Sequence, residues 1–369
     1  MTIQEHVLLA PLTTFGVGGE AQYFVVAESI EDVAAALSFA RSRALPVRVL
    51  GGGSNVVIAD TGFDGLVLLM RIPGIIAEVR DNRVWVTAGS GVVWDDFVVY
   101  AIEQGYAGLE CLSGVPGTVG GAVVANLGAY GAQASDTFVR AEVLDTEDGE
   151  SGVRIIEREA CDFSYHDSMF GRAKGRYVIL RATFALSTDP ASVPAYRDNR
   201  FDMRKLVERL GRAPTQAEVR ESVLSMREEK GSLIMPGRLS FKNAGSFFHM
   251  PFVSEAQYAA VAARARALDA DKEERLRPWA WKQLDGTYKL APGFLLEYTA
   301  FQKGYVRGNV GVSPKHTLSI INVAEASAED IATLARDMQR AVRDTFGVEL
   351  EREVEYIGNV EHRGENNFS

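Results

Sequence analysis

The sequence predicts an α+β protein of more than one domain, on three observations. Its 369 residues exceed what one domain usually holds, at roughly 100–200 residues each. In the first half, a strand-like segment enters a glycine loop and leaves it as another strand-like segment. After residue 190 the texture changes to capped amphipathic helices, with Lys and Arg in local excess from Arg197 to Lys242. At 47% hydrophobic and 24% charged residues, the chain can bury a real core.

In chain order, Ser29 and Asp32 stand at capping-box spacing before Val33, Leu37 and Ala40, which share one helical face. Pro46 breaks that helix, and Val47–Leu50 reads as a strand running into Gly51, Gly52, Gly53, Ser54 and Asn55. Val56, Val57 and Ile58 follow and are strand-like. A dinucleotide-binding loop would open a helix here with G-x-G-x-x-G, and a phosphate-binding P-loop would carry G-K-[ST]. Neither pattern is present.

The segment from Ser113 through Gly114, Pro116, Gly117, Thr118, Gly120 and Gly121 to Asn126, Ala129, Tyr130 and Gly131 is built largely of small residues, so main-chain amides can approach a ligand closely. No Lys or Arg lies between Arg48 and Arg71 or between Arg83 and Arg140. A phosphate held by these loops is therefore expected to rest on main-chain N–H groups and hydroxyls. Without a ligand, the same glycines would serve only tight turns.

Further along, Thr215 with Glu218 and Ser254 with Gln257 each predict a helix start. Ser327 predicts a third, with Ile331, Leu334, Met338, Val342 and Phe346 on one face and Gly347 as its stop. A last strand is expected over Val348–Ile357, and a frayed polar tail beyond it. The net charge of −10 argues against a nucleic-acid partner, which calls for a basic face. Met1–Gly16 has neither the basic nor the apolar region of a signal peptide, and no apolar run of about 18 residues occurs, so a cytoplasmic, membrane-free protein is expected. Two cysteines, Cys111 and Cys161, are too few for a disulfide framework or a thiolate metal site, and no metal is expected.

With both loops in view, the chain resembles the UDP-N-acetylenolpyruvoylglucosamine reductase (MurB) family. The matching pieces are L-T-T-F-G-V-G-G at Leu12–Gly19, L-G-G-G-S-N at Leu50–Asn55, L-S-G-V-P-G-T-V-G-G at Leu112–Gly121 and N-L-G-A-Y-G at Asn126–Gly131. G-S-F-F at Gly245–Phe248, D-G-T-Y-K-L-A-P-G-F-L at Asp285–Leu295 and L-E-R-E-V-E-Y-I-G at Leu350–Gly358 complete the set. Each piece is weak alone, but the ordered set is specific and spans nearly the whole chain.

The resemblance implies a two-lobed FAD-binding domain of the vanillyl-alcohol-oxidase/MurB type followed by an α+β substrate-binding domain. The division is expected at 1–75 and 76–200 for the lobes, 201–357 for the substrate domain and 358–369 for the tail. The implied activity belongs to peptidoglycan synthesis: NADPH reduces noncovalent FAD, and the enolpyruvyl group of a UDP-sugar then receives hydride at C3 from flavin N5 and a proton at C2. Ser246 is the implied proton donor and Glu353 the implied stabiliser of the intermediate. Lys230 and Lys289 match substrate-side lysines, and Tyr196 lies near a tyrosine that covers the nucleotide in a longer subfamily. A monomer is expected.

The chain departs from the family at the Y-R-[DNT]-S motif, which reads Tyr165-His166-Asp167-Ser168 here. A histidine thus stands where the family arginine grips the enolpyruvyl carboxylate, and it is cationic only when its pKa permits. His249, Met250 and Ala125 also replace family residues. These changes motivate an alternative, a paralogue acting on another anionic nucleotide or enolpyruvyl substrate. An oxidase with histidine-linked flavin is disfavoured because residues 7–165 contain no histidine after His6 until His166.

Overall fold

The computed structural model describes residues 1–80, 83–147, 152–189, 203–234, 241–269 and 271–360. Tyr196, the expected domain boundary near 200 and the tail from 361 onward lie outside the described residues.

The first lobe contains β1 (Gln4–Leu8), β2 (Glu20–Ala27), α1 (Ile30–Ser42), β3 (Val47–Leu50), β4 (Val56–Ile58) and β5 (Phe63–Met70). Its sheet has the order β1-β2-β5-β3, with β5 parallel to both neighbours and β1 antiparallel to β2. The unbroken apolar run Leu66–Met70 makes β5 a central strand buried on both faces. Leu66, Leu68 and Met70 pack with Val33, Ala36 and Ala40 of α1, while Val67 and Leu69 meet Leu9, Phe24 and Ile58 on the other side. The Ser29 hydroxyl accepts the Asp32 N–H at 3.1 Å and starts α1 as its spacing predicts.

The second lobe holds β6 (Ile75–Arg80), β7 (Arg83–Gly89), α2 (Trp94–Glu103), α3 (Val119–Val124), the short pair β8 (Gly128–Ala129) and β9 (Ala132–Gln133), β10 (Phe138–Asp145), β11 (Val153–Glu157), α4 (Met169–Arg172) and β12 (Tyr177–Ser187). Its antiparallel sheet runs β11-β10-β12-β7-β6. Strand β12 joins the lobes: Val178 and Leu180 enter the first lobe's core, whereas Ile179 between them, on the opposite face, and Phe184 and Leu186 further along enter the second's. Two helices follow, α5 (Met203–Leu210) and α6 (Gln216–Glu229). Leu206, Val219 and Val223 are buried in the second lobe's core, so both helices pack there despite lying past residue 201.

The C-terminal unit comprises β13 (Phe252–Val253), α7 (Glu255–Leu268), α8 (Lys272–Leu276), β14 (Ala280–Lys282), β15 (Tyr288–Leu290), α9 (Pro292–Leu296), β16 (Val306–Arg307), β17 (Val310–Val312), β18 (Ile320–Asn322), α10 (Ala328–Phe346) and β19 (Glu355–Ile357). Capping boxes at Thr215/Glu218, Ser254/Gln257 and Ser327/Asp330 start α6, α7 and α10. Gly347 ends α10 with φ +69°, the left-handed conformation that suits glycine. Ile331, Leu334, Met338, Val342 and Phe346 are all buried against this unit's core.

One expectation is corrected. The last strand covers only Glu355–Ile357, where it pairs in parallel with β4 of the first lobe, Glu355 facing Val56. Residues 351–353 instead form an isolated antiparallel bridge, Phe248 opposite Arg352, in which His249 N donates to Glu351 O at 2.9 Å and Glu353 N to Phe247 O at 3.0 Å. The chain thus changes partner at Val354, from Phe247–His249 to β4, which splits the expected strand and carries Glu353 to the junction of all three units. Val360 is buried in the C-terminal core, so the chain stays packed two residues past Gly358.

Candidate active site

The two glycine loops meet main chain to main chain. A Cβ added at Gly52 would lie 2.7 Å from Gly117 Cα, and one at Gly51 would lie 2.6 Å from the Thr118 hydroxyl. The Ser54 hydroxyl donates to Pro116 O at 3.2 Å and ties the loops together. Among the described residues, the amides of Gly52, Gly53, Ser54 and Gly117 take no hydrogen bond. Unpaired amides on two loops in contact are donors available to an anion.

The cation-free windows of the sequence do not survive in space. Arg71 donates from Nη1 to Gly51 O at 3.2 Å, and Arg227 of α6 donates from Nε to Gly114 O at 3.0 Å. Burial lowers the pKa of both guanidinium groups. Asp95 accepts the Gly114 N–H at 2.6 Å and holds Arg220 in a two-point pair at 2.6 and 2.8 Å. Helix α6 therefore grips the Gly114 peptide from both sides. Arg227 also interacts with Tyr130, and Lys230 at the end of the same helix lies 5.2 Å from the Tyr130 ring centre. Arg71, Arg220 and Arg227 escape a sequence reading because nothing local ties them to the loops.

Every residue of the Tyr165–Ser168 motif has a definite partner. Ser164 and Asp167 exchange main-chain hydrogen bonds at 3.0 and 3.3 Å, closing a tight turn with His166 in the left-handed region, φ +51°. Lys289 Nζ sits 3.4 Å from the Tyr165 ring centre, a close cation–π contact. Asp167 pairs with Arg172, and the Ser168 hydroxyl donates to Val124 O at 2.6 Å while capping α4. Asn126, also left-handed at φ +40°, fixes the turn: its Nδ2 donates to Ser164 O at 2.7 Å and to Gln133 Oε1 at 3.0 Å. Strained non-glycine conformations of this kind persist where neighbouring bonds enforce them.

At the junction, His166 Nδ1 lies 3.5 Å from one Glu353 carboxyl oxygen and His249 Nδ1 lies 3.9 Å from the other. Glu353 is held from behind by Asn55, whose Nδ2 donates to its carbonyl at 3.1 Å. Burial pushes the Glu353 carboxyl up to about 7 and lowers the His249 imidazole, since each charged form loses hydration. Ser246 precedes Phe247, the main-chain partner of Glu353, and its hydroxyl has no hydrogen-bond partner among the described residues. A carboxyl that titrates near neutral pH, on a segment bonded to the one carrying the Ser246 hydroxyl, can support proton chemistry on a bound substrate.

The structure thus brings the Ser246 segment, Glu353, His166 and Lys289 to one junction and puts Lys230, at the end of α6, over the Tyr130 ring. Some expected contacts take another form. The side chains of Ser113 and Asn126 are buried and committed to protein, Ser113 donating to Glu110 O at 2.6 Å. Asn55 spends its amide on Glu353. Ala129, Tyr130 and Gly131 form the β8–β9 turn, with Tyr130 and Gly131 at positive φ.

Residues 21–151 match the FAD binding domain family, and residues 237–357 match the C-terminal domain of UDP-N-acetylenolpyruvoylglucosamine reductase. Together with the paired loops, they define an FAD-dependent oxidoreductase with a distinct C-terminal domain. Curated relatives named UDP-N-acetylenolpyruvoylglucosamine reductase are 37% identical in Cutibacterium acnes, over 96% of this chain and 90% of that protein, and 39% identical in Streptomyces avermitilis, over 95% and 93%. One from Pseudomonas putida is 38% identical over 96% of this chain and 99% of its own. The chain belongs to the UDP-N-acetylenolpyruvoylglucosamine reductase family. The crystal structure of the reductase from Thermus caldophilus shares the fold, with a TM-score of 0.61 at 23% identity, over 97% of this chain and all of that one. Among the described residues, no helix is long and apolar enough to cross a membrane.

Proposed function

We propose that this enzyme reduces the enolpyruvyl ether of UDP-N-acetylglucosamine enolpyruvate to the lactyl ether of UDP-N-acetylmuramate, with NADPH as reductant. What supports the reading is the junction, where the Glu353 N–H donates to Phe247 O, next to Ser246, and the Glu353 carboxyl lies 3.5 Å from His166 Nδ1. Unpaired amides at Gly52–Ser54 and Gly117 fit the pyrophosphate of FAD, and the close approach of the loops suits a cofactor read by main chain. When bound, FAD would supply the hydride chemistry between NADPH and the enolpyruvyl group.

The chain's own residues do the rest. Ser246 gives the proton to C2, Glu353 and His166 balance charge as it builds on the substrate carboxylate, and Lys289 holds Tyr165 and its turn in place. Lys230, with Arg227 and Tyr130, faces the nucleotide. The division into two FAD-binding lobes and a substrate domain belongs to the same proposal, with α5 and α6 counted in the second lobe. The test is mass analysis of the product after incubation with NADPH and the UDP-enolpyruvyl sugar: a gain of two hydrogens supports the reading, and unchanged substrate contradicts it. His166 in place of arginine keeps a second reading alive, a paralogue acting on another anionic enolpyruvyl or nucleotide substrate, and that outcome would point to it.

A further inference from the structure

We propose that His249 is a positioning residue for Glu353, and that His166, Glu353 and His249 hold one shared proton as a single unit. The inference deepens the proposed reaction and rests on that reading for its kinetic part only. Each carboxyl oxygen has its own imidazole nitrogen, His166 Nδ1 at 3.5 Å and His249 Nδ1 at 3.9 Å, and the rings themselves lie 6.2 Å apart. The His249 nitrogen is buried without a hydrogen-bond partner among the described residues. A buried unmade hydrogen bond is costly, and the Glu353 carboxyl is the group within about an ångström of making it.

Charge favours one proton. With one, the three side chains are neutral overall, either as a carboxylic acid between two neutral rings or as a carboxylate beside one imidazolium. With none, a bare carboxylate is left in a crowded site, and burial disfavours it. The upward push on Glu353 and the downward push on His249 both follow from that burial.

Other charged groups face the unit from each neighbouring segment. Asp167 on the His166 turn and Glu351 beside Glu353 both favour protonated His249, and Asp167 is itself neutralised by Arg172. Lys289 on β15 is engaged with Tyr165, whose ring contacts both histidines, and Arg352 lies on Tyr356. Among the described residues the charged groups facing the unit are thus Lys289 on one side and Asp167 and Glu351 on the other. It holds its proton for charge balance and gives none away in turnover; the proton that reaches C2 still comes from Ser246.

Two measurements on the full FAD-loaded chain test this. Histidine-labelled protein is titrated by NMR from pH 5 to 9, as wild type and as Glu353→Gln. A shared proton predicts that both imidazoles respond to a common step near neutrality in wild type and that Glu353→Gln abolishes it. Histidine titrations identical in the two proteins overturn the proposal, whatever substrate the enzyme uses. Single-turnover reoxidation of the reduced enzyme by the UDP-enolpyruvyl sugar is then followed in His249→Phe and His249→Asn. The phenylalanine variant, which keeps bulk and loses the nitrogen, is expected to slow that step at least about tenfold, more than it slows NADPH reduction, and to displace its pH midpoint. Asparagine, which restores a polar group near the Nδ1 position, is expected to recover most of the loss. Equal rates and an unmoved midpoint in the two variants would reduce His249 to a packing role.

Discussion

Gly52→Ala tests the contact between the two glycine loops with a single methyl. Gly52 has no positive φ, so alanine meets no backbone strain and the effect is steric. The new Cβ would fall 2.7 Å from Gly117 Cα and 3.1 Å from its carbonyl carbon, whereas ordinary contact begins at 3.4 Å. The loops must therefore part by about 0.7 Å, the difference of those two distances. Both sides of the clash are main chain, and no side chain can swing away. Overpacking of this kind costs about 1–3 kcal/mol. If the loops separate, their unpaired amides no longer converge, and FAD affinity falls by about 5- to 150-fold on the same energy scale. Quenching of flavin fluorescence on titration into apoprotein measures it. Gly152→Ala, whose Cβ would meet nothing within 4 Å, serves as the control. FAD bound as tightly by Gly52→Ala as by the control would refute the reasoning, because the loops would not then be in contact.

Denaturation should release intact FAD into the supernatant, since the expected contacts are main-chain donors; flavin retained on the polypeptide would contradict this. Ser246→Ala should leave reduction by NADPH nearly intact and slow reoxidation by the enolpyruvyl substrate about 10²–10⁴-fold, the usual worth of a general acid; stopped-flow absorbance of the two half-reactions separates them, and equal losses in both would mean a damaged cleft. Glu353 gives a pH signature in stability. Its folded pKa of about 7 lies above the ordinary 4.5, so its contribution is full below 4.5 and is lost as pH rises through 7. Glu353→Gln should therefore gain stability relative to wild type between those values, by up to about 3 kcal/mol at 1.36 kcal/mol per pKa unit; urea melts at pH 5 and pH 8 that differ equally for both proteins would contradict the assignment.

What the sequence reveals about this chain is what short-range chemistry dictates. Ser29, Thr215, Ser254 and Ser327 cap their helices because a hydroxyl three residues from an amide needs nothing else. Val47–Leu50 and Val56–Ile58 form strands at those residues because Pro46 and the glycine run bound them. The site itself depends on long-range pairing. Glu353 reaches Asn55 across nearly the whole chain through the β4–β19 pairing, and a three-residue parallel pair has no local signal. The long strand expected over Val348–Ile357 fails for the same reason, since its two halves pair with different distant segments, Phe247–His249 and β4. Counting cations along the chain missed Arg71 and Arg227, which arrive at the loops from flanking and distant elements. His166 stood out in the sequence as a substitution, but its pairing with Glu353, opposite His249, emerges only when the three units meet.

The proposed reduction of an enolpyruvyl group depends on His166 standing where the resemblance to the family implies an arginine. The direct measurement is anaerobic flavin absorbance through both stages, NADPH first and the UDP-enolpyruvyl sugar second, in wild type and His166→Arg at pH 6 and pH 8. The account predicts bleaching by NADPH and recovery on adding the sugar, with wild-type recovery slower at pH 8 than at pH 6. His166→Arg, permanently charged, should lift the rate at pH 8 and flatten that decline. Flavin that bleaches with NADPH and stays bleached with the sugar in both proteins would contradict the account.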